Sequence, residues 1–359
     1  MTTKISVSPL IDETVSAIGA LDETAMGAAR ARQKTLTKPE GSLGVLEEMS
    51  VRLAGITGRA LPGIGDKVIM VMAGDHGVTA EGVSAYPSEV TPQMVLNFVS
   101  GGAAINVLAR HVGARVVVAD LGVALPVEHP EVLQLKVRPG TANFTAEPAM
   151  SREEAISCLE TGIRLAREQI DNGDTIIGLG DMGIGNTAAS SAILAALSSY
   201  GVNQVVGRGT GVEQDGLERK RRAISKALAL HRPDPNDPID VLCKVGGLEI
   251  GGLAGCVLGA AAARIPVVVD GFIAGAAALL AARICPESAK YMFASHLSGE
   301  PGHRLILDLL GLQPALYLGM RLGEGTGAAL AMQLLEAACR LLAEMATFQE
   351  AGVSTKGEI

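Results

Sequence analysis

A glycine-rich segment in the middle of the chain could bind an anion through its backbone. Residues 178–183 read GLGDMG between an apolar run and an Ala/Ser-rich stretch, which fits the pattern GxGxxG between a strand and a helix. A dinucleotide site would also need an acid about 20 residues further on, but residues 198–204 contain no Asp or Glu. Asn186 and Thr187 can begin the next helix, whose free N–H groups suit a phosphate. The segment therefore favours a single-phosphate site; a dinucleotide site and a ligand-free tight turn remain alternatives.

A second glycine loop follows at residues 206–211, with the sequence VGRGTG. It is predicted to come after a strand, and it contains Gly207, Arg208 and Gly209. The basic segment 218–222, ERKRR, follows on a predicted helix. Most of that segment is expected to form a solvated helix face, while one cation could reach back to a phosphate at the edge of the sheet.

Glu324 is the acid best placed to act as a base. It lies in RLGEGTG, immediately before a strongly apolar helix. The simplest interpretation is an acid that complements the helix macrodipole, which is worth about 0.3–1 kcal/mol. A capping acid does not need glycines on both sides, whereas an acid that must approach a substrate does. The positive helix end is expected to keep the carboxylate ionised and ready to accept a proton.

Asp75, His76, His296 and His303 are residue types that bind metals. The spacing of His296, Glu300 and His303 is not HExxH, and no cysteine lies nearby. Each histidine is therefore expected to be a hydrogen-bonded loop residue. The sequence predicts neither a metal site nor a cofactor.

The elements that must position these residues alternate between strands and helices. Short apolar runs typical of buried parallel strands occupy residues 67–73, 115–121, 175–179 and 265–270, with further candidates at the start of 202–211 and at 291–296. Helical patterns occur in the first sixty residues and within 92–111, 153–172, 188–199, 216–230, 272–284 and 325–348. The alternation predicts an α/β fold with a doubly wound parallel sheet, and such sheets bind ligands at the carboxyl ends of their strands. The helical chain ends are expected to form a second, smaller layer.

Composition excludes several classes of protein. The chain has 359 residues, 48% of them apolar and 19% charged, with a net charge of −8. That is too apolar for a disordered chain and too acidic to favour nucleic acid, and aromatic residues are only 3%. The 44 glycines are expected in turns and ligand-binding loops.

The sequence also predicts a cytoplasmic protein without a membrane span. Residues 246–285 are the most apolar region, but they include Glu249, Arg264 and Asp270, which would be costly in a bilayer. The first residues lack the features of a signal peptide. Five widely spaced cysteines without a CxxC motif fit reduced thiols.

Taken in order, the motifs resemble one enzyme family over nearly the whole chain. They are LTKPEGSLGVLE, AGDHGV, EGVSAYPSEVTPQM, GGAAINVLAR, GDMGIGNT, IDVLCKVGG, VVDGF, SHLSGEPG and MRLGEGTGAALA. The family is nicotinate-nucleotide–dimethylbenzimidazole phosphoribosyltransferase, of cobalamin biosynthesis. The resemblance implies a homodimer with a Rossmann-like sheet at residues 63–327 and a small helical domain formed by residues 1–62 and 328–359.

The resemblance also implies the reaction and the residues that carry it out. The family transfers the phosphoribosyl group of nicotinate mononucleotide to 5,6-dimethylbenzimidazole, giving α-ribazole 5′-phosphate and nicotinate. Glu324 matches the catalytic base, and Lys220 matches the phosphate-binding lysine. Two loops are implied to hold the phosphate and the ribose, through Gly183, Asn186, Thr187, Gly207, Arg208 and Gly209. The base pocket is implied to contain Tyr86, Met94, Asp181 and Met182, and at Asp181 the family often has Glu.

Other functions stay open at this stage. Relatives activate other benzimidazoles, purines and phenols, so the base is less secure than the reaction class. The GxGxxG segment motivates a dinucleotide-dependent oxidoreductase. If Glu324 only caps a helix, a nucleotide-binding regulatory protein becomes the non-enzymatic alternative.

Overall fold

One parallel sheet dominates the computed structural model, which describes residues 7–354. Its strands are β1 Asp66–Gly74, β2 Ala114–Gly122, β3 Val132–Gln134, β4 Asp174–Met182, β5 Val267–Val269 and β6 Met292–Ala294. They lie in the order β3-β2-β1-β4-β5-β6, and every pair is parallel. This is the strand order of the Rossmann fold, in which chain direction across the sheet reverses beside the first strand. The predicted fold class is confirmed.

Helices cover both faces of the sheet. In chain order they are α1 Pro9–Ala17, α2 Glu23–Thr35, α3 Val45–Thr57, α4 Val90–Val99, α5 Ala104–Val112, α6 Arg152–Asp171, α7 Asn186–Leu197, α8 Val202–Val205, α9 Gln214–His231, α10 Pro238–Val245, α11 Leu248–Ala262, α12 Phe272–Ile284, α13 Pro301–Leu310, α14 Thr326–Glu344 and α15 Phe348–Ala351. Two short 3-10 helices, Gly77–Glu81 and Pro286–Tyr291, complete the set within the described residues.

Three element predictions were wrong in detail, and one short strand was not predicted. The segment expected to begin as a strand at residue 202 is the short helix α8. The single helix expected within 92–111 is divided into α4 and α5, because the chain turns at Gly101, whose φ is +77°. The three-residue strand β3 was not predicted. The last predicted helix, 325–348, ends at Glu344, and α15 follows as a separate turn.

Part of the glycine excess serves helix packing rather than loops, contrary to the expectation from composition. Helices α6 and α11 cross so closely that a Cβ atom on Gly162 would lie 1.8 Å from the carbonyl oxygen of Gly252. A Cβ atom on Gly255 would lie 1.9 Å from the carbonyl oxygen of Leu159. The crossing exists only because both positions lack a side chain. Helix α11 is thereby buried along almost its whole length.

The two ends of the chain meet beside the sheet. Helices α2, α3 and α14 share a small apolar cluster apart from the main core, formed by Ala25, Ala29, Val51, Ala54 and Leu342. The first half of α14 packs instead on β4 and β5, and α1 packs on α6 and α11. The division into a small domain, 1–62 with 328–359, and a large domain, 63–327, stays a prediction. Residues 1–6 and 355–359 lie outside the described part.

Helix α14 is the one described helix with the length and apolar character to cross a membrane. Its apolar side chains contact β4, β5, α3 and α5, and over half of its apolar window is buried in the protein. Such contacts are typical of a helix in the core of a folded protein.

Candidate active site

A cleft of about 500 Å³ opens at the carboxyl ends of β4, β5 and β6. Of the residues predicted for the site, its walls contain Tyr86, Met94, Asp181, Met182, Gly183, Asn186, Thr187, Gly209 and Glu324. Gly207 and Arg208 line a neighbouring cavity of about 360 Å³ instead. A larger groove of about 620 Å³ lies between α2, α3 and the end of α13. It contains none of the predicted site residues, so the chemistry belongs to the cleft.

Glu324 lies in an unusual backbone conformation in the wall of the cleft. Its φ is +63°, and Gly323 and Gly325 on either side have φ values of +85° and +89°. A non-glycine residue rarely adopts this left-handed conformation, and it is typically found where function requires it. The side chain is 6% exposed, and one carboxylate oxygen accepts a hydrogen bond from the Ile105 N–H at 3.3 Å. Ile105 lies in the first turn of α5, so a second helix N-terminus faces this acid.

Burial raises the pKa of Glu324 above its ordinary value, although the Ile105 N–H opposes the shift. The helix N-terminus expected to keep the acid ionised therefore does not lower its pKa overall, and ionisation of Glu324 at neutral pH stays a prediction. Removal from water costs the charged form more than one N–H bond returns. A raised pKa makes the carboxylate a stronger base at neutral pH.

The GxGxxG glycines approach the protein itself rather than a dinucleotide. A Cβ atom on Gly180 would lie 2.5 Å from the Glu324 carbonyl oxygen, and one on Gly183 would lie 2.1 Å from the Gly74 carbonyl oxygen. A Cβ atom on Gly178 would clash with Ile69 and Met332. These glycines therefore let the Glu324 loop and α14 lie directly on β4. The segment therefore matches the GxGxxG pattern because its glycines pack closely against protein atoms, which is a different reason from close approach to a dinucleotide.

Asp270, at the end of β5, anchors the loop that carries Glu324. Its two carboxylate oxygens accept hydrogen bonds from the N–H groups of Gly325, Gly327 and Ala328, at 3.2, 2.7 and 3.1 Å. Burial raises the pKa of Asp270 to about 7 against the effect of these three donors. The start of α14 is thus fixed to the sheet by one side chain.

Asp181 belongs to a group of buried acids at the floor of the cleft. Burial raises its pKa well above the ordinary value, and the charges of Asp270, Glu249 and Glu324 raise it further. One oxygen accepts a hydrogen bond from the Asn186 side chain at 3.0 Å, and the other has no protein partner. A neutral Asp181 can donate its proton to a ligand in the cleft.

Lys220 projects from α9 toward the first turn of α7 and is fully buried. Its ammonium group donates to the Thr187 hydroxyl at 2.6 Å and to the Gly207 carbonyl oxygen at 3.3 Å. Burial lowers its pKa to about 8, and the carboxylate of Glu300 opposes the shift. Asn186 and Thr187 do begin α7, as predicted, so a buried cation and a helix N-terminus converge where a phosphate could bind.

The second glycine loop differs from its prediction at two residues of the expected phosphate site, Gly209 and Arg208. The Gly209 N–H, expected to bind phosphate, donates to the Glu300 carboxylate at 2.8 Å. The Arg208 side chain donates to the Val212 carbonyl oxygen at 3.1 Å and lies away from the cleft. A buried carboxylate needs a donor, and this loop provides one. Lys220 and the first turn of α7 therefore remain the candidates for binding an anion.

The chain is similar to known phosphoribosyltransferases over almost its whole length. A family model described as phosphoribosyltransferase matches residues 18–353. A nicotinate-nucleotide–dimethylbenzimidazole phosphoribosyltransferase of Roseiflexus sp. is 60% identical, and the match spans 97% of this chain and 99% of that protein. The chain belongs to this phosphoribosyltransferase family. The enzyme of the same name from Chloroflexus aggregans is 59% identical over the same shares of both chains. The crystal structure of CobT from Thermus thermophilus has a TM-score of 0.89 and 52% identity, over 93% of this chain and 100% of that one.

Membership of this phosphoribosyltransferase family removes the support for an oxidoreductase. The GxGxxG glycines contact protein atoms, and the segment after α7 contains no ribose-binding acid. In residues 7–354 no group of three or more His, Cys, Asp or Glu side chains is arranged to hold a metal ion.

Several residues of the cleft were missed by the sequence argument. Val90, Phe272, His296, Ser298, Glu300, Arg321 and Leu322 line it beside the predicted ones. His296, Ser298 and Glu300 follow β6 closely, and Arg321 and Leu322 precede Glu324. Two signals were therefore available: the position just after a strand, and the neighbourhood of the glycine-flanked acid. His303 is hydrogen-bonded as expected, since its Nδ1 accepts the Ser298 N–H at 2.9 Å, but it lies in the first turn of α13 rather than in the predicted loop.

His76 and Glu249 form a buried pair beneath the first glycine loop. The His76 Nε2 lies 2.7 Å from the Glu249 carboxylate, and neither side chain reaches solvent appreciably. Burial lowers the pKa of His76, but the charge and hydrogen bond of Glu249, with the charge of Asp75, outweigh it and raise the pKa overall. A ring carbon of His76 also lies under Gly183, 3.4 Å from where its Cβ would be. The pair therefore supports the loop as an ion pair.

His76→Gln is expected to destabilise the protein by about 3–5 kcal/mol, because a buried Glu249 carboxylate loses its partner. A histidine with a raised folded-state pKa stabilises fully below its unfolded pKa of about 6.5, and this stabilisation is lost as pH rises through the folded pKa. The stability difference between wild type and variant should therefore shrink as pH rises above about 6.5 and through the raised folded-state pKa of His76. Urea unfolding across this range measures it.

His303→Gln is the matched control. Burial lowers the pKa of His303 to about 3, so this histidine stays neutral over the same range. Above about pH 6.5, where His303 is neutral in both the folded and the unfolded chain, its cost should not change with pH. A His76→Gln cost that is equally constant would show that the pair is not ionised.

Proposed function

We propose that this protein transfers the phosphoribosyl group of nicotinate mononucleotide to 5,6-dimethylbenzimidazole, giving α-ribazole 5′-phosphate and nicotinate. The observation that carries the proposal is a cleft lined by Glu324, an acid with a raised pKa, and by Thr187 in the first turn of α7, whose hydroxyl accepts a hydrogen bond from the buried Lys220 ammonium directly behind it. Relatives named for this reaction cover 97% of the chain at 59–60% identity. The proposed role of the protein is activation of the lower-ligand base of cobalamin.

Glu324 is proposed as the general base. One ring nitrogen of the benzimidazole attacks C1′ of the ribose while the other gives its proton to the Glu324 carboxylate. The C1′–nitrogen bond to nicotinate breaks, and its electron pair returns to the pyridinium ring, which leaves neutral. No general acid is needed for that departure. Attack from the face opposite nicotinate converts the β-nucleotide into an α-product, so the configuration at C1′ inverts.

The rest of the cleft orients the two substrates. The Lys220 ammonium, the Thr187 hydroxyl and the backbone around Gly183 and Asn186 are proposed to hold the phosphate and ribose. Tyr86, Met94 and Leu322 give an apolar wall for the aromatic base, with Met182 at its floor. Neutral Asp181 is proposed to donate a hydrogen bond to the ribose or the base. Orientation of the reacting rings supplies much of the remaining rate.

The test is a product assay with the purified protein. Nicotinate mononucleotide and 5,6-dimethylbenzimidazole are mixed with it, and the products are separated by chromatography with mass detection. Nicotinate and α-ribazole phosphate should form in equal amounts. If neither forms, the same assay with other benzimidazoles, adenine and phenols separates a different base preference from a protein that only binds nucleotides.

We also propose a homodimer in the cytoplasm. Large apolar side chains stand exposed near the cleft: Tyr86, Tyr317, Leu318 and Leu322 are 55–65% accessible. Such a group of exposed apolar residues favours a protein partner. The five cysteines are all unpaired, which supports a reducing compartment. Light scattering should give twice the 36.8 kDa chain mass at all working concentrations, and a constant monomer mass would contradict the dimer.

A further inference from the structure

Three loops at the carboxyl edge of the sheet are joined in a closed ring of hydrogen bonds. The Gly209 N–H donates to the Glu300 carboxylate at 2.8 Å. The N–H of the neighbouring residue Gly299 donates to the Met320 carbonyl oxygen at 3.0 Å. Arg321, next in the chain, donates through its guanidinium to the Gly209 carbonyl oxygen at 3.1 Å. Both the N–H and the carbonyl oxygen of Gly209 are thus held by hydrogen bonds.

This ring connects the proposed phosphate subsite to the loop of the general base. Lys220 donates to the Gly207 carbonyl oxygen and to Thr187, so the ammonium that would meet a phosphate also holds the start of the Gly209 loop. On the other side, Arg321 precedes Glu324 by three residues in the chain. Hydrogen bonds thus link Gly209 to Arg321 directly, and link it through Glu300 and the neighbouring Gly299 to Met320.

Glu300 is built into this arrangement. Its side chain is 7% exposed, and the carboxylate oxygen not bonded to Gly209 has no protein partner. That oxygen lies against Gly207 so closely that a Cβ there would be 2.1 Å away. A half-satisfied buried carboxylate is costly, and here it lies in the wall between the cleft and the 360 Å³ cavity. Arg321 lies in the same wall, and its side-chain stem lies 3.7 Å from where a Cβ atom on Gly299 would be.

We propose that Glu300 and Arg321 are positioning residues that couple occupation of the phosphate subsite to the placement of the Glu324 carboxylate. The proposal rests on the phosphoribosyl transfer proposed above. Its consequence is that the phosphate does more than increase affinity. Binding energy gained at this part of the substrate, remote from C1′, is used to order the loop that removes the proton, so it increases turnover.

The experiment separates the phosphate from the rest of the substrate. Turnover of nicotinate riboside, which lacks the 5′-phosphate, with 5,6-dimethylbenzimidazole is measured with and without inorganic phosphite as a free dianion. In wild type, saturating phosphite should raise riboside turnover by about tenfold or more. In Glu300→Gln and in Arg321→Met, that activation should fall below about twofold. The exposed Arg321 provides a second variant if the buried Glu300 variant folds poorly.

The matched controls are Asp308→Asn on α13 and Arg340→Met on α14. Both residues are exposed and carry the same charge changes on the helices that follow Glu300 and Glu324. They should keep the full activation by phosphite. A variant that is only less stable would keep the same ratio of riboside turnover with phosphite to turnover without it.

Three results would overturn the coupling. The first is equal activation in wild type and both variants. The second is an unchanged plateau with a higher phosphite requirement, because that indicates a direct contact with the anion. The third is a wild type that converts nicotinate mononucleotide but shows no activation of the riboside by phosphite. A wild type that makes no product from nicotinate mononucleotide contradicts the proposed function instead, so the two failures are distinguishable.

Discussion

Glu324→Gln is expected to lower kcat by about 10²–10⁴-fold, the range for loss of a general base. The amide keeps the size of the side chain and can still accept the Ile105 N–H, so the left-handed backbone and the loop should persist. KM for both substrates should stay near the wild-type value, because the lost interaction acts only in the transition state. Steady-state kinetics with both substrates measure the split.

The pH profile gives a second test of the same group. Because the base must be deprotonated, wild-type kcat/KM should fall as pH drops through the raised pKa of Glu324. In Glu324→Gln this fall of kcat/KM at low pH should be absent. Glu344→Gln, an exposed change at the far end of α14, is the matched control and should behave as wild type. Turnover by Glu324→Gln within a few-fold of wild type would assign the proton to another group.

Lys220→Met should have the largest effect on the nucleotide substrate. Removing one partner of a buried, hydrogen-bonded charge pair costs about 2–5 kcal/mol, so kcat/KM for nicotinate mononucleotide should fall by about 30-fold or more. Binding of 5,6-dimethylbenzimidazole should change little, since Lys220 lies behind Thr187 and away from the apolar wall. Kinetics with each substrate varied in turn measure the difference.

The pKa of Lys220 also predicts how kcat/KM changes at alkaline pH. Its pKa of about 8 means that the free enzyme loses this cation as pH rises through that value, so wild-type kcat/KM should fall there. In Lys220→Met the alkaline fall should be absent. Lys226→Met, an exposed lysine on the same helix, is the control. An unchanged KM for nicotinate mononucleotide in Lys220→Met would place the phosphate elsewhere.

Much of the fold was predictable because its signals are local. The buried runs at 67–73, 115–121 and 175–179 became β1, β2 and β4, since only a strand covered on both faces tolerates such continuous apolar sequence. Helix α12 was predicted with its observed bounds. The short strand β3 could not be predicted, because three residues carry no periodicity and pair with β2 only in the folded sheet.

The candidate site was predictable where a residue type and its flanking glycines identify it in the chain. Glu324 between two glycines and the first turn of α7 are of this kind. Glu300, Arg321 and His296 carried only the weaker signals of their positions in the chain, and their contacts could not be predicted, because these depend on loops that are distant in sequence and adjacent only at the sheet edge. The GxGxxG segment is the opposite case, because its sequence suggested a site that the structure does not support. Its glycines have the spacing of a dinucleotide motif, but they make room for α14 and the Glu324 loop.

The sequence by itself determined the parallel α/β architecture, the candidate general base and the family to which the chain belongs. Those properties follow from apolar periodicity and from motifs whose members are neighbours in the chain. Only the tertiary structure decided which N–H groups are free to meet a ligand, which acids are buried enough to have raised pKa values, and how the phosphate loop contacts the Glu324 loop. Burial and hydrogen-bond partners are set by segments far apart in the chain, such as those of Ile105 and Glu324, which lie 219 positions from each other.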